Sequence, residues 1–209
     1  TGISIGTVTL TVTSAGDTNY NVATTSQLIT IGKTTPVLTI TSANAVNVNS
    51  SLTATVSTTA TGGRGGAITY AIVAGSGSAT VNSSTGLITG VSIGTVTLMA
   101  TSAGDTNYYV ATTSQLITIG KTTPVLTITS ANTINVDGTL TATISTTATN
   151  GRGGAVTYAI IFDTGSATVN GSTGLITAVS FGTVTLTATS AGDSNYYAAT
   201  TAQAITIGK

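Results

Sequence analysis

The chain has no cysteine, no histidine and no tryptophan, and charged side chains make up only 5% of its 209 residues. Each absence excludes a class of function. Without Cys there is no disulfide framework. Without Cys or His there are no thiolate or imidazole ligands for zinc and other soft metals. A Ser or Thr nucleophile would lack its ordinary base, so acid/base and nucleophilic catalysis are not expected. The acids are all Asp (Asp17, Asp105, Asp137, Asp163 and Asp193), and the bases are Lys33, Lys121, Lys209, Arg64 and Arg152. Their sum is a net charge of +0 with no basic run. That excludes the clustered cations that phosphate backbones require, so no nucleic-acid partner is expected. Long apolar runs are missing too. The densest, Tyr70 to Ala74 and Tyr158 to Phe162, fall far short of the roughly 20 residues of a spanning helix. The mean hydropathy of +0.44 comes instead from Ala, Val and Ile dispersed among Thr.

What the chain has is repetition. Lys33-Thr-Thr-Pro-Val-Leu-Thr-Ile-Thr-Ser-Ala-Asn44 returns as Lys121 to Asn132, and 121 − 33 = 88. Ile-Thr-Ile-Gly-Lys begins at Ile29, Ile117 and Ile205, with the same spacing. Two units follow, 33–120 and 121–209. Residues 1–32 match 89–120 almost letter for letter, so the chain opens with the last third of a preceding unit. This period exceeds the ~20–50 residues of a solenoid turn, so each unit is expected to be a domain.

Within a unit the pattern has period two, the mark of half-buried strands. Val96, Leu98 and Ala100 share one face, and Thr95, Thr97, Met99 and Thr101 the other. The same parity places inward Leu38 and Ile40, then Leu52, Ala54 and Val56, then Ile68, Tyr70 and Ile72, and finally Ile117 and Ile119. β-Branched residues dominate and helix formers are scarce. About seven short strands separated by Gly, Ser and Asn turns predict an all-β chain of tandem immunoglobulin-like β-sandwiches, the first incomplete. Tyr70 and Tyr158 take the strand position where many such sandwiches place Trp, and Tyr158 and Leu186 are expected to be buried. In residues 1–32, Ile3, Val8, Leu10, Val12, Ile29 and Ile31 form an apolar face with no partner in their own unit. Completion from upstream in the same polypeptide is favoured there over strand donation by a neighbouring subunit.

The run Gly94-Thr-Val-Thr-Leu-Met-Ala-Thr-Ser-Ala-Gly-Asp-Thr-Asn-Tyr108, followed by Ala111 to Ile119, resembles the carboxy-terminal half of bacterial Ig-like repeats. It recurs as Gly6 to Ile31 and Gly182 to Ile207. The Ala-Gly-Asp-x-Asn-Tyr signature is its most specific part. The resemblance implies a secreted or cell-surface array serving as a stalk, extracellular filament or adhesin. It implies no catalytic residue. The expected partners are adjacent Ig-like repeats of the same or neighbouring copies.

The few charges suggest where such repeats meet. Lys121 opens the last unit, Arg152 lies in the loop between the second and third strands, and Asp193 lies in the loop before the last strand. In an Ig-like sandwich these segments share one end. Lys121, Arg152 and Asp193, with Asn195 and Tyr196 beside them, are therefore a candidate junction with the preceding unit; the alternative is a set of solvated loop charges. Asp105-Thr-Asn107 has the two-apart oxygens of a calcium loop. Calcium wants about 6 to 8 oxygen ligands, however, and Asp105 is the only acid of unit 33–120. An Asx turn is favoured. Gly62 to Gly66 reads as a flexible loop, since no helix follows to bind phosphate. Asn49, Asn82 and Asn170 open short N-glycan acceptor patterns. The alternative to a structural array is a binding module that uses Thr-rich strand faces, such as Thr183, Thr185, Thr187 and Thr189, for glycan or ice.

Overall fold

The computed structural model describes residues 1–63, 65–149 and 153–209. Strands and turns account for the regular structure, and no helix of the described residues is long and apolar enough to cross a membrane. The chain opens with a two-stranded hairpin, β1 (Gly6–Ser14) and β2 (Ala23–Ile31). The middle unit follows as β3 (Leu38–Ile40), β4 (Ala45–Asn47), β5 (Ser51–Thr53), β6 (Val56–Thr58), β7 (Ile68–Ala74), β8 (Ser78–Val81), β9 (Leu87–Ser92), β10 (Gly94–Ser102) and β11 (Ala111–Gly120). The last unit repeats it as β12 (Leu126–Ile128), β13 (Thr133–Asn135), β14 (Thr139–Thr141), β15 (Ile144–Thr146), β16 (Val156–Phe162), β17 (Ser166–Val169), β18 (Leu175–Ser180), β19 (Gly182–Ser190) and β20 (Ala199–Gly208).

One layer of the middle unit is the sheet β4-β11-β10-β7, in which β4 pairs parallel to β11 and the other pairs are antiparallel. The opposite layer is β5-β9-β8, extended by the pair β3-β6. The nine segments make seven strands once β3 with β4, and β5 with β6, are taken as halves. The first strand leaves β6 and crosses to β11. The second pairs first with β9 and then with β3. The last unit has the same sheet orders. Such partner exchange gives two short halves where the hydrophobic parity alone reads one strand.

Alternation along the central strands builds the core. Val96, Leu98 and Ala100 of β10, Ile117 and Ile119 of β11, and Ile88 of β9 are fully buried, as are Val184, Leu186, Ala188, Ile205, Ile207 and Ile176 of the last unit. Their hydroxyl-bearing neighbours face outward, which is how a two-layer sandwich buries one face per sheet. Tyr158 departs from expectation: it is half-buried. It sits on β16, the outer strand of the sheet β13-β20-β19-β16. Its ring lies over Gly174 at the side of the sandwich, so one side of the ring stays in solvent.

In the hairpin, Val8 pairs with Ile29 just as Val96 pairs with Ile117. Val8, Leu10, Val12 and Ile29 are nevertheless exposed, while Val96, Leu98 and Ile117 are fully buried. The pairing is the same and the opposite layer is what differs.

Candidate functional site

Three turns of the same sequence pattern, Asp17 to Tyr20, Asp105 to Tyr108 and Asp193 to Tyr196, each precede the last strand of a repeat. In the last unit the Asp193 carboxylate organises the turn. Its Oδ1 accepts the backbone N–H groups of Asn195 at 2.7 Å and Tyr196 at 2.9 Å, and its Oδ2 accepts that of Gly153 at 2.8 Å. The turn closes through Asp193 N–H to the Tyr196 carbonyl at 3.0 Å. Asp105 holds Asn107, Tyr108 and Gly65 in the same way. These oxygens therefore act as receptors for backbone amides, the role of an Asx turn. Among the described residues no three His, Cys, Asp or Glu side chains gather as a metal site would need.

The glycine loop is tied to this turn. Besides the Asp105 contact, the Gly65 carbonyl accepts Ser102 Oγ–H and Gly104 N–H. The segment expected to be a flexible loop is thus anchored at Gly65, and Gly153 is held equivalently by Ser190, Gly192 and Asp193. Arg64 and Arg152 lie outside the described residues.

Lys121 joins the turn from the other side. Its Nζ donates to the Asp193 carbonyl at 2.8 Å and lies 5.6 Å from the centroid of the Tyr197 ring. The backbone beside it is pinned, with Thr122 N–H to the Asn195 carbonyl at 3.2 Å and Tyr197 N–H to the Thr122 carbonyl at 2.9 Å. These bonds of Lys121 and Asp193 lie within their own unit.

Asn195 and Tyr196 reach the preceding one. Asn195 Oδ1 accepts the backbone N–H of Ile93 at 2.9 Å. The Tyr196 hydroxyl accepts Asn49 Nδ2–H at 2.7 Å and Thr149 N–H at 3.2 Å. Asn49 Nδ2 also reaches the Thr147 carbonyl at 3.3 Å, and Asn49 Oδ1 accepts the Thr149 hydroxyl at 3.3 Å. The contact is apolar as well as polar. Tyr196 belongs to the buried cluster of the middle unit with Val48, and Ile93 and Ala148 pack against that cluster. The core of one repeat thus continues into the next.

The first junction has half of this arrangement. Asn107 Oδ1 accepts Ile5 N–H at 2.9 Å, the counterpart of Asn195 with Ile93 after subtraction of 88. Exposure of the tyrosine follows how much of a preceding unit is present: Tyr20 is 76% exposed, Tyr108 is half-buried, and Tyr196 is 1% exposed.

Sequence reasoning passed over Asn49 and Ile93, the receiving side of this contact in the middle unit, and Thr147, Ala148 and Thr149, which join it from the side of Tyr196. Asn49 drew attention only as a glycan acceptor, yet its amide nitrogen is engaged across the junction. Its place in a tight turn between two short strands was the available signal. The Thr ladder of β19 is half-buried along its length. It is flanked by exposed Thr157, Ala159 and Ile161 on one side and by Thr200, Ala202 and Ala204 on the other. The outer face is therefore mixed methyl and hydroxyl rather than a row of free threonines.

Residues 121–198 match the family model described as the bacterial Ig-like domain (group 2). No curated protein matches the chain in sequence. Among solved structures, the chain is similar to the C-terminal 282-residue fragment of intimin in complex with the intimin-binding domain of the translocated intimin receptor. That likeness has 18% identity and a TM-score of 0.32, over 82% of this chain and 64% of the other, so the chain spans less than two thirds of that fragment. It is also similar to the fibronectin(III)-like modules of Clostridium thermocellum CbhA, at 14% identity and a TM-score of 0.29, over 82% of this chain and 93% of the other. A third likeness is to immunoglobulin domains 1–5 of Sidekick-1, at 14% identity and a TM-score of 0.33, over 98% and 45% of the two chains.

Proposed function

We propose, starting from residues 121–198 as a bacterial Ig-like domain of group 2, that the chain is a non-catalytic structural segment of an extracellular bacterial fibre, filament or adhesin stalk. Its repeats are locked end to end by the Asp-x-Asn-Tyr turn. The observation that carries this reading is the burial of Tyr196 in the core cluster of the preceding unit. Domains joined by a free linker are expected to move relative to one another. Here a swing of the last unit would pull a large aromatic ring out of its apolar surroundings and break the bonds that Asn49 makes to Tyr196, Thr147 and Thr149. The cost of that opening favours one orientation.

Composition supports the same reading. A chain without His or Cys has few means of catalysis, and the Asp193 carboxylate accepts three backbone amides that give the turn its shape. The Thr-rich surface carries little charge, so neighbouring chains of a fibre would have little electrostatic repulsion to overcome. Repeats meeting through a fixed contact suit a surface structure that must hold something at a distance.

Small-angle scattering of the whole chain tests this. The wild type is expected to scatter as an extended body of fixed maximum dimension, and Asn49→Ala with Asn195→Ala to show a broader distribution of dimensions. Identical curves would remove the lock from the account.

A further inference from the structure

We propose that β16 is a side-to-side interface, on which the same strand of a second copy pairs antiparallel about a two-fold axis at Ile161. This lateral contact goes beyond the end-to-end lock and does not depend on it. A sheet edge left open invites another chain, and proteins blunt such edges with short strands, bulges, proline or charge. In the last unit β12, β13, β14 and β15 have three residues each. β17 has four residues and a register shift between Ser166 and Ala167. Among the described residues of that unit, β16 is the edge that escapes these devices. It runs for seven residues, Val-Thr-Tyr-Ala-Ile-Ile-Phe, at the end of the sheet β13-β20-β19-β16, without charge, proline or a shift in its pairing with β19.

The backbone of β16 fixes where a partner would sit. Ala191 N–H donates to the Ala155 carbonyl at 3.0 Å. Odd-numbered residues of this segment therefore turn their polar groups toward β19, and even-numbered ones turn theirs away. Tyr158 N–H, on the outer side, is taken by the Gly171 carbonyl at 2.9 Å. Ile160 and Phe162 come next on that side, and among the described residues no further strand pairs there. A register centred on Ile160 would need Tyr158 N–H, which is already engaged. Centred on Ile161, it sets Ile160 opposite Phe162 of the second copy and Phe162 opposite its Ile160, so that outward N–H groups meet outward carbonyls.

Side chains fit the same register. Ile161 is 59% and Phe162 63% exposed. On the axis Ile161 meets its own copy as a non-hydrogen-bonded pair, the arrangement that brings side chains closest. Phe162 lies beside Ile160 of the second copy, on the same face. The nearby charge, Asp163, is set opposite Ala159, and 163 − 159 = 4. The two Asp163 residues thus stand about 13 Å apart along the strands, beyond the ~8–10 Å over which exposed charges act at physiological salt. A second copy is favoured over an unrelated strand because this edge is its own complement under a two-fold axis, as an isologous contact requires. The chain also carries it twice: 161 − 88 = 73, and Val73 of β7 is likewise exposed on the outer strand of its sheet. Ala74 replaces Phe162 there, which makes β7 the smaller surface.

Sedimentation of residues 1–209 up to about 1 mM tests the interface by placing charge on its axis. The wild type is expected to associate as concentration rises. Ile161→Lys and Ile161→Glu, at an exposed position, each set like charges directly opposite one another and are expected to associate at least about tenfold more weakly. An equimolar mixture of the two variants pairs Lys with Glu and is expected to associate more tightly than either alone. That rescue requires residue 161 to face its own copy. A wild type that stays monomeric overturns the proposal, and so does a mixture no tighter than the single variants. Association undiminished in Ile161→Lys overturns it as well, since the chains would then meet through another surface. The lock between units is read separately, from the distance between the two complete units, which Ile161→Lys is expected to leave unchanged.

Discussion

Asn49 and Tyr196, 147 residues apart, are joined by a 2.7 Å hydrogen bond from the Asn49 amide to the tyrosine hydroxyl. The bond links two different sandwiches, and the same hydroxyl is held by Thr149 of its own unit. Tyr196→Phe keeps the ring and leaves these donors without their acceptor, so a loss of about 1–3 kcal/mol is expected. Tyr20→Phe, at the exposed equivalent, should change stability by less than about 0.5 kcal/mol. Urea unfolding of both variants checks the contrast, and equal effects would contradict it.

Gly192 is required by the turn it opens. It has φ +74°, and a Cβ there would come within 2.7 Å of the Ala198 nitrogen and 2.8 Å of the Tyr196 carbonyl oxygen. Gly192→Ala is expected to cost more than about 1 kcal/mol and to speed amide exchange through Asn195 and Tyr196. Gly32→Ala, where a Cβ would meet nothing within 4 Å, is the control and should be near neutral.

Asp193→Ala removes the acceptor of the Gly153, Asn195 and Tyr196 amides together. The expected loss is at least the ~1.5–3 kcal/mol of one hydrogen bond to a charged group. Asp163, exposed and accepting the Thr185 hydroxyl at 3.3 Å, should tolerate Ala with a change below about 0.5 kcal/mol. Thermal unfolding distinguishes the two.

Inward parity has its own check. Leu186 is fully buried in the last unit, while Leu116, on the outward face of β11, is exposed. Leu186→Ala is expected to cost about 2–5 kcal/mol and Leu116→Ala less than about 0.5 kcal/mol. A small loss at Leu186 would reverse the assignment of faces.

Much of the sandwich was legible because a strand writes its faces into alternate residues. Val96, Leu98 and Ala100 needed no tertiary information to be placed inward. The Asp193 to Tyr196 turn stood out because it recurs. Its partners did not, for a physical reason: Ile93 contributes a backbone N–H, which has no side-chain signature, and Asn49 acts across 147 residues. Parity also could not say that Tyr158 lies on an outer strand, since strand order is set by pairing rather than by alternation. The halving of the first two strands was hidden in the same way.

The fixed orientation of the two complete units is the central claim, and the chain's lack of cysteine makes it directly measurable. Spin labels on cysteines introduced at the exposed, equivalent positions Ser84 and Ser172 report the distance between the units by double electron–electron resonance. The account predicts one narrow distance distribution in the wild type and a markedly broader one in Asn49→Ala with Asn195→Ala. A broad distribution in the wild type, or a narrow one unchanged by the substitutions, would contradict it.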